Sequence, residues 1–278
     1  MNYRHAYHAG NFADVHKHVA LVAILAHLKR KSAPFAVIDT HAGSGLYDLG
    51  AKEALASGEA EQGIGRLSAC PAETTTLASY LDILRGFGPG RYPGSPLIAA
   101  TLLRPQDRLV AIEKQPDEVA KLRHAIAPFA KAEAIEDDGY GRLLNLVPPP
   151  ERRGLVLFDP PYEHGEELQQ MARAFAQAYR RFRQGIYLIW LPLKGPVAAE
   201  ALAGELKTAG ATKLLSLVLG IGRDSTEPEA RLSASGLLAV NPPYGFEEEM
   251  RAVQHELLPL LRRGPSARVG VEWLAGGP

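Results

Sequence analysis

Gly154-Leu155-Val156-Leu157-Phe158-Asp159-Pro160-Pro161-Tyr162 carries the fold in nine residues. Five apolar residues without polar alternation describe a strand covered on both faces, as in parallel sheets flanked by helices. The run stops at an acid and two prolines, which cannot continue a ladder. Similar short runs rich in β-branched residues recur at Phe35–Asp39, Arg108–Ile112, Ala134–Glu136, Ile186–Trp190, Lys213–Leu219 and Gly236–Val240, with helical patterns between them. Seven strands alternating with helices predict an α/β fold, a doubly wound and mostly parallel sheet whose ligand lies beyond the carboxyl ends of the strands. About 70 residues separate the first two strands, where a simple β-α-β unit spans roughly 30. Residues 51–92 are therefore expected to form an inserted helical subdomain, with 1–50 and 93–278 as the main domain. Leu77, Leu81 and Leu84 have helical spacing, and Gly86-Phe87-Gly88-Pro89-Gly90 closes the insertion.

Composition narrows the class without naming a partner. The 278 residues are 46% hydrophobic and 22% charged, which excludes a disordered chain, and 31 basic residues balance 31 acidic ones, so bulk charge favours no polyanion. Nucleic-acid binding stays open, because phosphate contacts act locally. The single Cys70 cannot form an internal disulfide, in keeping with a reducing cytoplasm. Met1 to His8 lacks the apolar run of a secretory signal, and Val19–Leu28, followed by Lys29-Arg30-Lys31, is too short to span a bilayer. The expectation is a cytoplasmic, monomeric protein away from membranes.

Three strand ends carry the residues of a nucleoside site. After the first comes Asp39-Thr40-His41-Ala42-Gly43-Ser44-Gly45, whose glycines Gly43 and Gly45 let backbone approach a ligand. It lacks the third glycine of the dinucleotide fingerprint and the Gly-Lys-Ser/Thr of a phosphate loop, which argues against NAD and ATP. The second strand ends in Glu113, a carboxylate able to accept both hydroxyls of a ribose. The third leads to Asp137-Asp138-Gly139, where Asp138 can accept an adenine amine and Gly139 turns the chain.

Asp159-Pro160-Pro161-Tyr162 suits a particular difficulty of chemistry. An exocyclic amine on an aromatic base is a poor nucleophile because its lone pair is delocalised into the ring. The Asp159 carboxylate and the Pro160 carbonyl can accept its two N–H hydrogens, draw the nitrogen toward tetrahedral geometry and stabilise the positive charge that develops. Tyr162 offers a face for an extruded base, a contact worth roughly 1–3 kcal/mol in base-binding sites. Methyl transfer from a sulfonium needs positioning and no metal. Asn241-Pro242-Pro243-Tyr244 also follows an apolar strand and imitates the motif. Because it follows the last strand and not the fourth, it is expected to be a structural turn.

The chain resembles the bacterial family of 23S ribosomal RNA adenine-N6 methyltransferases, the large-subunit methyltransferase J type. The resemblance runs over its full length through Tyr3–Asn11, Ala13-Asp14-Val15, Lys17-His18, Asp39–Gly43, Tyr92-Pro93-Gly94-Ser95-Pro96 and Asp159–Tyr162. It implies a Rossmann-like class I methyltransferase fold with S-adenosylmethionine as cofactor and 23S ribosomal RNA as substrate. Cofactor contacts implied are His18, His41, Ser95, Glu113, Asp138 and Gly139, and Lys17 and Gly43 are placed with them. Asp159 is the implied catalytic residue, and Tyr3, with Arg4 beside it, meets the RNA.

Six of the nine histidines, His5, His8, His16, His18, His27 and His41, crowd the first 41 residues. His16 and His18 point to different sides of a helix with no Cys or Glu-x-x-His partner, so no metal is expected. Basic groups at Arg4 and Lys17, Lys29-Arg30-Lys31, Arg152-Arg153, Arg180-Arg181-Arg183 and Arg262-Arg263 would form an RNA track if those flanking the strand carboxyl ends shared a surface. Two other functions compete. A DNA adenine or cytosine methyltransferase could use the same tetrapeptide, although no helix-turn-helix or finger module is visible. A non-catalytic ribosome-assembly protein could keep the fold, although its Asp159 and cofactor loop would then have no reason to be intact.

Overall fold

The computed structural model describes residues 4–67, 70–162, 166–193, 196–223 and 231–277. After a short 3-10 turn at His5–Tyr7, the chain enters α1 (Phe12–Lys29), capped by Asn11, whose side chain accepts the Asp14 N–H at 2.9 Å. Sixteen of its eighteen residues are buried. A helix with no wet stripe must be covered all round, and α5, α6, α11 and the sheet cover this one.

β1 (Ala36–Asp39) ends at the glycine loop. β2 (Leu46–Asp48) and β3 (Arg91–Pro93) then pair as an antiparallel ribbon, closing off the short helices α2 (Lys52–Ser57), α3 (Glu59–Gln62) and α4 (Ile64–Leu67) and the longer α5 (Thr75–Gly86). Regular alternation follows: α6 (Ser95–Leu102), β4 (Arg108–Glu113), α7 (Pro116–Ile126), β5 (Ala132–Glu136), α8 (Gly139–Leu146), β6 (Gly154–Phe158), α9 (Glu167–Arg181), β7 (Ile186–Pro192) and α10 (Pro196–Thr208). β8 (Leu214–Gly220), β9 (Ala234–Val240), α11 (Phe246–Leu261) and β10 (Arg268–Ala275) complete the chain.

The main sheet has eight strands in the order β10-β8-β9-β7-β6-β1-β4-β5, one more than the seven expected. The additional strand is β10, which pairs antiparallel with β8. Its Val269, Val271 and Trp273 alternate against the core in the period of a half-covered strand, a signal present in the sequence but close to its end. β7, β6, β1, β4 and β5 run parallel, whereas β9 lies antiparallel between β7 and β8. In β6 every residue is buried, with Leu155 and Leu157 facing the α1 layer and Val156 and Phe158 facing α8, α9 and α10. The strand order reverses at β1, which pairs with β4 on one side and β6 on the other. A crevice opens beyond the carboxyl end of such a strand.

Candidate active site

Asp39, Glu113, Glu136 and Phe158 end β1, β4, β5 and β6, and the loops after them border a cleft of about 740 Å³ whose other wall is α1. Arg4, Lys17 and His18 face it from the amino-terminal segment, and His41, Gly43 and Ser95 from the β1 side. Glu113, Asp138, Gly139 and Asp159 close the circuit. Residues scattered over 156 positions of sequence, from Arg4 to Asp159, thus border one space. Tyr3 lies outside the described residues.

Backbone donors pin the two acids on the β4 and β5 side. Glu113 accepts the Gly43 N–H at 2.9 Å on Oε2 and the Lys114 and Gln115 N–H groups, each at 2.8 Å, on Oε1. Asp138 caps α8 through Gly141 N at 2.9 Å, with the Lys114 ammonium 3.7 Å from Oδ2. At Gly139 a Cβ would sit 2.0 Å from the Thr40 carbonyl oxygen. Only glycine lets the start of α8 lie against the loop after β1.

Hydrogen-bond accounting fixes the states of the β1 loop. The Thr40 hydroxyl donates its one proton to the Leu157 carbonyl at 2.8 Å, so its 2.8 Å contact with His41 Nδ1 is a bond donated by the imidazole. Burial pushes His41 down to about 4, leaving a neutral ring with Nε2 as acceptor, edge-on to Tyr140 at 4.9 Å. His18 is pushed to about 3 by burial and then by the Lys17 charge. Its Nδ1 meets the Tyr92 hydroxyl at 2.7 Å, and Tyr92 meets Tyr80 at 2.9 Å. Ser95 donates to Asp39 at 2.6 Å, yet burial still pushes the Asp39 carboxyl up to about 6.

Lys17 borders the cleft and also binds two carboxylates on the acceptor side. Its buried ammonium bonds Asp159 Oδ2 and, at 2.9 Å, Asp14 Oδ1. Asp14 Oδ2 in turn receives the Gly10 N–H at 2.9 Å and His5 Nε2 at 3.0 Å. Burial works against both charges. For Lys17 the two carboxylates override it and raise the pKa, and for Asp14 the charges of His5 and Lys17 hold the carboxyl well below its ordinary value. The sequence by itself assigns Asp14 and Asp39 no role. The Asn11-x-x-Asp14 spacing marks a helix start, but nothing local marks the bond from Lys17 to Asp159, 142 positions away.

Pro160 is buried, and the Tyr162 ring packs edge-on to Trp190 at 5.7 Å, its hydroxyl donating to the Trp190 carbonyl at 2.6 Å. Neither borders the cleft, which Pro161 does. Asn241 stands at the far end of the sheet, because β9 runs against β7 and its last residue, Val240, pairs beside Tyr187. It adopts φ 52° and donates to the Arg183 and Gly185 carbonyls at 2.7 and 2.8 Å, a turn that ties two loops. Among the described residues no group of three or more His, Cys, Asp or Glu side chains could hold a metal, and no helix is long and apolar enough to cross a membrane.

Three comparisons show the family and the fold. The family model described as "Ribosomal RNA large subunit methyltransferase D, RlmJ" matches residues 32–275. Two proteins named Ribosomal RNA large subunit methyltransferase J are similar along 99% of both chains: that of Escherichia coli, 37% identical over 281 residues, and that of Haemophilus influenzae, 36% identical over 279. A crystal structure of a Legionella pneumophila protein, 31% identical, superposes with a TM-score of 0.86 over 96% of this chain and 98% of that one. Matched over most of its length in sequence and in fold, the chain belongs to the ribosomal RNA large subunit methyltransferase J family.

Proposed function

We propose that the protein transfers a methyl group from S-adenosylmethionine to the N6 amine of an adenine in 23S ribosomal RNA. The observation that carries the reading is Asp159, at the carboxyl end of β6, bordering the same cleft as Glu113 and Asp138. The cleft's chemistry fits the cofactor. Seven carboxylates border it against four Lys and Arg side chains, a balance that suits a ligand carrying a sulfonium and an ammonium. Glu113 holds the ribose hydroxyls, and Asp138 with Gly139 holds the adenine edge. The cofactor supplies an electrophilic methyl on a good leaving group.

The protein's own work is done on the amine. Lys17 occupies Asp159 Oδ2 and holds the carboxylate in one orientation, which leaves Oδ1 for one N–H of the base. In this reading the carbonyl of Pro160, whose neighbours Asp159 and Pro161 form the cleft wall, turns to the inserted base and takes the other, so the lone pair points away from the ring plane and the positive charge that develops on nitrogen meets a fixed acceptor. An acidic rim repels phosphates, so the base enters by itself, extruded from its stack.

Labelled methyl transfer to protein-free 23S ribosomal RNA, beside genomic DNA, with nucleoside analysis of the product, tests this. N6-methyladenosine in RNA alone is expected, lost in Asp159→Ala with cofactor affinity retained, and retained in Asn241→Ala. Label in DNA, or dependence on Asn241, would overturn the assignment.

A further inference from the structure

His16, Lys17 and His18 are consecutive residues of α1, and each is at most 3% exposed. Successive residues of a helix turn by about 100°, so the three diverge. Lys17 goes to Asp159 and His18 to the cofactor side, whereas His16 enters a chain of buried polar groups that neither reaction partner explains.

That chain has one solution. The Val218 carbonyl can only accept, so the atom of Gln254 that meets it at 3.2 Å is the amide nitrogen. The same nitrogen lies 2.8 Å from His16 Nε2 and donates its second hydrogen there. His16 therefore carries its proton on Nδ1 and donates to Ser235 Oγ at 3.0 Å. Ser235 Oγ also receives the indole N–H of Trp190 at 3.1 Å, an atom that can only donate. Trp190 packs edge-on to Tyr162 at 5.7 Å, and its carbonyl holds the Tyr162 hydroxyl at 2.6 Å. The donors converge on Ser235 Oγ, from α11 through α1 on one side and from the Trp190 indole on the other, which ties the aromatic pair behind Asp159 to the core helices.

Two observations set this chain apart from ordinary core satisfaction. Gln254 Oε1 is buried without a partner among the described residues, so the amide has been turned to serve His16 at a cost in stability. Burial also pushes His16 down to about 3, so the imidazole stays neutral and its tautomer does not change with working pH.

We propose that His16 and Ser235 are positioning residues for the acceptor base, fixing the Trp190 indole and through it the Tyr162 ring, which follows Pro161 of the cleft wall and becomes the aromatic surface the adenine meets once it is inserted past that wall. The inference rests on the proposed methyl transfer and adds the device that orients its acceptor. Removing the Ser235 hydroxyl frees the indole and strands two buried donors. The base then binds in several poses, and misplacement of a reacting atom by about 1 Å costs up to roughly 100-fold in rate.

The chain has two tryptophans, so in a Trp273→Phe background the fluorescence reports Trp190 alone. Binding of 23S ribosomal RNA is expected to quench it. Adding Ser235→Ala should lower kcat about 10- to 100-fold, weaken the quench at saturating RNA, and leave cofactor affinity within about 2-fold. His16→Leu should behave likewise. His16→Asn, whose amide nitrogen takes the place of Nδ1, should recover most of the rate, and it reports on the bond even where Ser235→Ala folds poorly. A loss of melting temperature with kcat and quench unchanged would reduce the chain to core structure. Methyl transfer to RNA by wild type with no Trp190 response would sink the positioning role while leaving the reaction standing. An absence of transfer to RNA would sink the reaction itself.

Discussion

Lys17 is one cation between two carboxylates, all three largely buried, and its value lies in that arithmetic. Taking charges out of water costs several kcal/mol each, and only their mutual contacts offset it. Lys17→Met leaves Asp14 and Asp159 facing each other with no ammonium between them. We expect a loss of about 3–5 kcal/mol in urea denaturation and transfer reduced as severely as in Asp159→Ala, because the carboxylate loses its anchor. Lys17→Arg should restore stability in part but not rate, since a planar guanidinium cannot place one nitrogen between the two acids as the ammonium does. If Lys17→Met keeps near-normal stability, the three groups are not the coupled set that their distances describe. The sequence shows Asp159 at a strand end, where the motif and the apolar run before it are contiguous. It does not show Lys17 as its partner, because α1 is buried all round and has no wet face from which to single out one exceptional lysine.

The insertion acts on the site through α1. The Ile64 N–H bonds the Gly10 carbonyl at 2.8 Å, and Glu59 accepts from Asn11 Nδ2 and meets His8 Nδ1, each at 3.0 Å. Between α3 and α4, a Cβ on Gly63 would lie 2.2 Å from the Gly10 oxygen and 2.7 Å from backbone atoms of Asn11. Backbone cannot yield as a side chain can, so Gly63→Ala must push the insertion off the start of α1. The expected cost is about 1–3 kcal/mol, with slower transfer because Asn11 caps the turn that carries Asp14 and Lys17. Unchanged stability and rate would mean the insertion is not braced on α1. Residues 51–92 read as helical from composition and leucine spacing, and α2 to α5 are helices. Where they dock was not legible, because the glycine contact joins residues 53 positions apart, with neither partner distinctive alone. The ribbon of β2 and β3 was missed for another reason: three-residue strands give too short a pattern to count.

A net charge of zero conceals a separation of charge along the strand axis. Lys29-Arg30-Lys31, Arg152-Arg153 and Arg180-Arg181-Arg183 all precede strands of the parallel set, which puts them at the end opposite the cleft, so they do not form one track around the strand carboxyl ends. Arg262-Arg263, whose second residue bonds the Ile221 carbonyl after β8, is on the cleft side. Sequence gave the groups but not their end of the sheet, which depends on strand direction. Burial adds a second hidden balance, this time of protons. His16, His18 and His41 are held neutral to about pH 3, 3 and 4, against 6.5 in an unfolded chain. Their contribution to stability is present above 6.5 and is lost as pH falls toward those values, because the unfolded chain takes up three protons that the native one refuses. Asp39 works in the other direction: its carboxyl, near 6 in the native protein and 3.8 unfolded, binds a proton earlier in the folded state, so its cost is complete above 6 and vanishes below 3.8. Between pH 6 and 4 the four groups leave a difference of about two protons, or roughly 3 kcal/mol lost per pH unit. Asp39→Asn removes the opposing group. Urea denaturation across this range should show that variant more stable than wild type by about 3 kcal/mol at pH 8, losing about 4 kcal/mol per unit below pH 6, and indistinguishable from wild type near pH 4. Parallel stability curves for the two proteins would mean that Asp39 titrates like an exposed carboxylate and that the buried floor of the cleft is wetter than its packing implies.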